Sequence, residues 1–329
     1  MAKLVIYYIV LILAALGVIA LFINNGQHFR DKYSADIINE LTVDSSMPCP
    51  EPKGFQSSYA VIPYNTEMRE DQFKDDTYAT ILIDTDKNIP IVAHNALRRI
   101  YPASTTKVMT GVVVCDAIEK GEIGLDDEVT LKHDIVFDEE DALASDLKEG
   151  YTITVRNLLY GLLMRSYNDY AIILAEYVAG SEGQFVEMMN NKAYQIGATG
   201  CHFENPHGLH DDNHYVTAYD MYLILSESTK YDIFNEIDSY SSFTYSYLDD
   251  EGYVHEDDIS PTNMFLANDY KVPSNITIKG WKTGTTEAGG YILTMNVEID
   301  KGNYFIFVAD AVSSDDLYSK IGMLFNYTK

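Results

Sequence analysis

Pro102-Ala103-Ser104-Thr105-Thr106-Lys107 sets a serine at the start of a helical pattern that runs from Ser104 to Lys120, with a lysine three residues on. Three residues is about one helical turn, so the hydroxyl and the amine can share a face. Alone, a serine at a helix start followed by lysine reads as an ordinary cap. Two further stretches change that reading. Ser166-Tyr167-Asn168 falls in the break between two apolar helical patterns, and Lys282-Thr283-Gly284 ends a β-rich run through Ile278-Lys279-Gly280-Trp281. At the first of these stretches a nucleophile and its base would be neighbours. The hydroxyl must lose its proton as it attacks, and an amine can take that proton only when neutral. Bringing Lys107 to neutrality near pH 7 takes about 4.6 kcal/mol of differential interaction, so burial and repulsion from Lys282 are expected to act together.

Outward from these stretches, Thr77 to Asp84 and Ile89 to His94 are β-rich runs joined by Thr85-Asp86-Lys87-Asn88, a hairpin pattern. Helical patterns cover Ser104 to Lys120, Arg156 to Arg165, Tyr170 to Ala179 and Gln184 to Ile196, with Gly121, Gly180 and Gly197 placed as stops. Another helix is expected near Ala218 to Glu227. Strands follow at Asn275 to Thr283, Gly290 to Ile299 and Asn303 to Ala311, then an amphipathic helix from Ser314 to Phe325. Strands at both ends of a helical middle predict one α+β unit whose sheet joins the two ends, with a helical insertion.

Composition narrows the function. The 329-residue chain has 23 Lys and Arg against 50 Asp and Glu, a net charge of -27. That balance argues against a nucleic-acid partner, because phosphate binding needs a basic face. Leu4 to Ile23 carries no charge and is long enough to cross a bilayer core. Residues 1–24 are therefore read as an N-terminal transmembrane anchor, the alternative being a signal segment. Residues 25–76, with Pro48, Pro50, Pro52 and Pro63, read as a tether and irregular lead-in of roughly 40 Å reach. Residues 77–329 form the expected catalytic domain.

Cys49, Cys115 and Cys201 have no paired spacing and read as buried or idle thiols, the alternative being a disulfide between two of them. Cys201, His202, His207, His210 and His214 crowd one segment; a polar loop is favoured there over a zinc site. The sequence gives no evidence for a cofactor.

The serine-x-x-lysine, serine-x-asparagine and lysine-threonine-glycine set resembles that of the penicillin-interacting enzymes. More closely, the chain resembles the D-alanyl-D-alanine carboxypeptidases of the low-molecular-mass penicillin-binding proteins. The likeness runs from about Thr77 onward and includes Tyr101 to Thr110, Leu158 to Asp169, Gly180 to Ala193, Phe203-Glu204-Asn205-Pro206-His207-Gly208-Leu209 and Thr217-Ala218-Tyr219-Asp220. It implies a β-lactamase/transpeptidase-like α+β fold, an antiparallel sheet flanked by helices with a helical subdomain. It also implies removal of the terminal D-Ala of peptidoglycan stem peptides, with β-lactams as covalent inhibitors.

Carried onto this sequence, the resemblance makes Ser104 the nucleophile, Lys107 its base and Ser166 the proton carrier. Asn168, Lys282, Thr283, Gly284 and Thr285 would bind substrate, with the backbone N–H groups of Ser104 and Thr285 as the oxyanion hole. The domain would sit outside the bacterial cell membrane, where that substrate lies, and the N-terminal span would replace the C-terminal anchor of many relatives. Two departures stand out: Tyr167 where glycine is more usual and Tyr170 where alanine is, both expected to narrow the cleft or alter its specificity. Alternatives from the same fold are a β-lactamase or D,D-endopeptidase, and from another class a non-catalytic wall-binding protein.

Overall fold

The antiparallel hairpin predicted around Asp86 is present. In a computed structural model that describes residues 59–62, 79–139 and 142–328, β1 (Ala79–Asp84) pairs with β2 (Ile89–His94) through contacts running from Thr80 opposite His94 to Asp84 opposite Ile89. On its other side β1 pairs with β9 (Gly302–Ala311), Ala79 opposite Ala309 and Asp84 opposite Tyr304. The sheet is completed by β8 (Gly290–Ile299) and β7 (Ile276–Thr286), giving the antiparallel order β2-β1-β9-β8-β7. Sequence-distant strands are thus neighbours, and the sheet joins the two ends of the domain as expected.

The two-residue period of the strands explains both layers. Ile81, Ile83, Phe305 and Phe307 point to one side and join a core with α1 (Thr106–Glu119) and α5 (Ala218–Ser228). Leu82, Val308, Leu293 and Met295 point to the other and pack against Leu317 and Ile321 of α7 (Ser314–Leu324). At about 1.5–3 kcal/mol for each fully buried large aliphatic side chain, both faces contribute. α1 is rich in Val, a middling helix former, yet every residue from Thr106 to Cys115 is buried. Packing on all sides, not propensity, holds that helix.

Between the ends lies the expected helical part: α2 (Val155–Tyr160), α3 (Asn168–Ala179), α4 (Glu182–Gln195) and α5, with an additional α6 (Asp232–Asp238). A second, four-stranded antiparallel sheet was not foreseen. It has the order β3 (Glu128–Thr130), β4 (Thr152–Thr154), β5 (Phe243–Leu248) and β6 (Val254–Ile259). Residues 59–62, within the expected lead-in, dock on α5: Tyr219 Oη donates to the Ala60 carbonyl at 2.7 Å and Tyr222 Oη accepts from Ala60 N at 3.2 Å. Among the described residues no helix is long and apolar enough to cross a membrane. The apolar run from Leu4 to Ile23 and Cys49 lie outside them.

Candidate active site

Ser104 sits in a tight turn, Ala103–Thr105, that leads into α1, and neither that turn nor α1 has a side-chain cap at its start. The ordinary capping reading therefore fails for Ser104. Its Oγ lies 2.8 Å from Lys107 Nζ, one turn further along. Lys107 is fully buried and its amine makes two more contacts, to Asn168 Oδ1 at 2.6 Å and to the His207 carbonyl at 2.7 Å. Both of those partners are acceptors. A neutral amine donates its two hydrogens to them and turns its lone pair to the Ser104 hydroxyl. Burial first and the charge of Lys282 second push the Lys107 pKa well below the lysine range, with Asp169 opposing.

The turn after α2 positions the second motif. Residues Gly161–Arg165 continue α2 as a wider π-type turn, which ends at Ser166 in a left-handed conformation (φ 73°, ψ 27°). Such turns often mark functional sites. Asn168 opens α3, and its N–H donates to the Leu143 carbonyl at 2.8 Å. Lys282, on β7, is fully buried and donates to Ser166 Oγ at 2.9 Å and to the Thr283 carbonyl at 3.0 Å. Burial alone pushes its pKa down to about 7. The second and third motifs thus meet through their polar groups.

Ser104, Ser166, Asn168, Thr283, Gly284 and Thr285 line one cleft of about 820 Å³. β7 is an edge strand of the larger sheet and brings Thr283 to Thr286 to the cleft, with Lys282 buried behind them. A Cβ on Gly284 would lie 3.0 Å from the Pro102 carbonyl and 3.2 Å from Ser104 N, so a side chain there would press on the nucleophile's turn. Gly208 is stricter still. It has φ +90°, and an added Cβ would fall 2.0 Å from the Ala103 carbonyl. This Asn205-Pro206-His207-Gly208 segment was recognised as family-like without a role. Its role in the fold is to hold the base's amine and abut the serine turn, while the Pro206 carbonyl accepts from Thr110 Oγ1 at 2.5 Å.

Tyr167 and Tyr170 do not narrow the cleft. Both are buried on the far side of the turn: Tyr167 Oη donates to Asp257 Oδ2 at 3.2 Å, and Tyr170 Oη meets Tyr245 Oη at 2.5 Å. Neither lines the cleft. Sequence reasoning missed Thr262, which does line it and whose Oγ1 lies 2.5 Å from Thr283 Oγ1. The only local signal was Pro261 before it, which marks a turn and nothing chemical.

The crowded histidine segment is engaged within the protein. His214 Nε2 meets Thr106 Oγ1 at 2.9 Å and its Nδ1 accepts from Glu204 N at 3.2 Å. His207 Nδ1 accepts from Leu209 N, and Cys201 Sγ donates to the Ala198 carbonyl. Among the described residues no group of three or more such side chains is placed to hold a metal ion. Cys115 and Cys201 are free thiols, and burial raises the pKa of each.

Comparison with known proteins agrees with the geometry. Residues 66–312 match the D-alanyl-D-alanine carboxypeptidase family. D-alanyl-D-alanine carboxypeptidase DacF of Bacillus subtilis is 32% identical over 71% of this chain and 57% of its own length. DacC of Escherichia coli is 34% identical over 66% of this chain and 52% of its own length. The chain therefore spans little more than half of these relatives. The crystal structure of a Streptomyces DD-transpeptidase superposes with a TM-score of 0.66 at 24% identity, over 76% of this chain and 95% of that one, and shares the fold. With a family match across most of the chain and a serine, two lysines and an asparagine meeting at one cleft, this protein belongs to the D-alanyl-D-alanine carboxypeptidase family.

Proposed function

We propose that the chain is a serine D-alanyl-D-alanine carboxypeptidase that removes the terminal D-Ala of peptidoglycan stem peptides. The observation that carries this reading is the setting of Lys107 Nζ, 2.8 Å from Ser104 Oγ with two carbonyl-type acceptors for its own hydrogens. Ser104 Oγ attacks the carbonyl of the penultimate residue and Lys107 takes the hydroxyl proton. Charge builds on the carbonyl oxygen, which the N–H groups of Ser104 and Thr285 stabilise. The C–N bond then breaks. Ser166, hydrogen-bonded to Lys282, delivers a proton to the departing amine of D-Ala. Water cleaves the resulting ester by the reverse use of the same groups.

Asn168, Thr283 and Gly284 hold the peptide, and Lys282 supplies positive charge for its terminal carboxylate. A β-lactam offers a strained cyclic amide to the same serine, so it forms an acyl-enzyme there. This substrate lies outside the cell, which puts the catalytic domain on the extracytoplasmic side of the bacterial membrane. Leu4 to Ile23, apolar and uncharged, supports residues 1–24 as the anchor.

Incubation of the full chain with fluorescent penicillin and with a peptide ending in D-Ala-D-Ala tests the proposal. The expected result is a labelled protein, an acyl adduct in the intact mass, free D-Ala, and loss of all three in Ser104→Ala. Folded wild type that neither labels nor releases D-Ala refutes it.

A further inference from the structure

Asp169 follows the second motif in the first turn of α3 and is buried, 4% exposed. Ser145 N donates to its Oδ1 at 3.1 Å and its Oδ2 at 3.2 Å, and Ser145 Oγ donates to Oδ2. Ser145 Oγ itself accepts from Leu147 N at 3.2 Å, which leaves its hydrogen for Asp169. Both oxygens of Asp169 accept, so the group is held as a carboxylate, and the helix N-terminus favours the same form. One residue earlier, Asn168 N donates to the Leu143 carbonyl while Asn168 Oδ1 takes a hydrogen from Lys107 Nζ. Two successive residues of α3 thus fasten the loop of the cleft wall on one side and touch the base on the other.

The charges around the Lys107 amine come from several elements. Lys282 on β7 opposes a second positive charge, and Asp169 favours one. Burial keeps His207 and His214 neutral on the segment that holds the amine. Burial likewise raises the Tyr167, Tyr170 and Tyr245 hydroxyls, and Asp257 on β6 is taken up by Tyr167 and Tyr245. Glu139, Asp146 and Glu287 are exposed, where solvent screens them. Asp169 is therefore the carboxylate that bears on the base. An ammonium formed beside Lys282 and out of water is costly unless an opposite charge offsets it.

We propose that Asp169 is a positioning residue for the base: a buried carboxylate, fixed by Ser145, that steadies the Lys107 ammonium formed when Ser104 gives up its proton. The proton passes from Ser104 Oγ to Lys107 Nζ, the oxygen's electron pair forms the ester bond, and Asp169 stays ionised throughout. The inference rests on the carboxypeptidase reading and adds to it a group outside the three motifs.

The test follows acylation of the full chain by benzylpenicillin as a function of pH, where the acid limb of the second-order rate constant reports the base. Asp169→Asn keeps the fastening, because its amide oxygen can accept from Ser145 N and its NH2 can donate to Ser145 Oγ, but it removes the charge. Its acid limb should move to lower pH by about one unit, and its plateau should fall about fivefold. Asp169→Glu keeps the charge, so its limb should stay within about 0.3 unit of wild type. Ser145→Ala loosens the loop and keeps the charge; its rate constant should fall about threefold with the limb in place. An Asp169→Asn limb at the wild-type pH refutes the counter-charge and leaves Asp169 a merely structural role. A limb moved to lower pH in Ser145→Ala or Asp169→Glu refutes it too, even where Asp169→Asn fails to fold. Wild type that is not acylated and releases no D-Ala from a D-Ala-D-Ala peptide overturns the carboxypeptidase reading itself, whereas an unmoved limb in an active enzyme overturns this inference alone.

Discussion

Lys282 has a fully buried amine with only a hydroxyl and a backbone carbonyl as partners. Burial lowers its pKa from 10.5 to about 7. Between these values the unfolded chain holds a proton that the folded chain has released, so this group's contribution to stability rises with pH across that window. At pH 7 the deficit is on the order of 4 kcal/mol. Lys282→Met removes it and forfeits two hydrogen bonds, so the variant is expected to be more stable than wild type by about 2 kcal/mol at pH 7. The gain should shrink at pH 9.5, where the wild-type deficit has largely gone. Urea unfolding at the two pH values measures both numbers, and an equal gain at both would contradict the account. Carboxylate-dependent turnover should be lost in the same variant, because the cationic donor is gone. Stability is sacrificed here for a charge that the proposed chemistry uses.

The turn that carries Ser166 depends on how α2 and α3 pack. Gly161 faces the ring of Tyr170, and a Cβ there would fall 2.2 Å from a ring carbon. The Tyr170 hydroxyl meets Tyr245, whose own hydroxyl donates to Asp257 Oδ2 at 2.9 Å on the facing strand β6. Asp257 also accepts from Tyr167, so one carboxylate ties the Ser166 turn to the β5-β6 hairpin. Gly161→Ala is expected to destabilise by about 2 kcal/mol and to slow penicillin acylation by displacing Ser166. In a Tyr170→Ala background the same change should cost much less, with only the Tyr167 ring at 3.1 Å still to give way, and a double-mutant cycle reads that coupling. Additive losses would show that the ring and the glycine do not meet.

This packing explains what the sequence could and could not disclose. Lys107, Ser166 and Lys282 were legible because their chemistry is distinctive and their order matched a known set. Thr262 was not, since a threonine after proline looks like any turn. The strands β3 and β4 are three residues each, too short for a period to register, and Val254-His255-Glu256-Asp257-Asp258-Ile259 is polar on both faces. Tyr167 and Tyr170 were misjudged because sequence gives the size of a side chain but not the side of the turn on which it packs.

At the scale of the whole molecule, 27 excess negative charges set a background against which acidification acts in two directions. Lowering the pH toward the isoelectric point near 4.4 relieves self-repulsion. Two buried histidines oppose this. His214 and His207 each use Nδ1 as an acceptor from a backbone N–H, so each must stay neutral to keep its bond. Burial holds His214 at about 4 and His207 at about 3. Since both lie below the ordinary value of 6.5, the unfolded chain takes up protons that the folded chain refuses as the pH falls through 6.5. Stability from these groups is therefore present above pH 6.5 and is lost progressively toward their folded values, by about 2 kcal/mol for each at pH 5. The His214 ring connects α1 to the segment whose His207 carbonyl holds the Lys107 amine, so the loss falls on the site as well as on the fold. His214→Gln keeps nearly the same overall charge, and comparison with wild type cancels the background. Between pH 7 and pH 5 the variant should lose about 2 kcal/mol less than wild type in denaturant unfolding, although it starts less stable. Parallel pH profiles for the two proteins would place the acid sensitivity elsewhere, in the carboxylates of the surface.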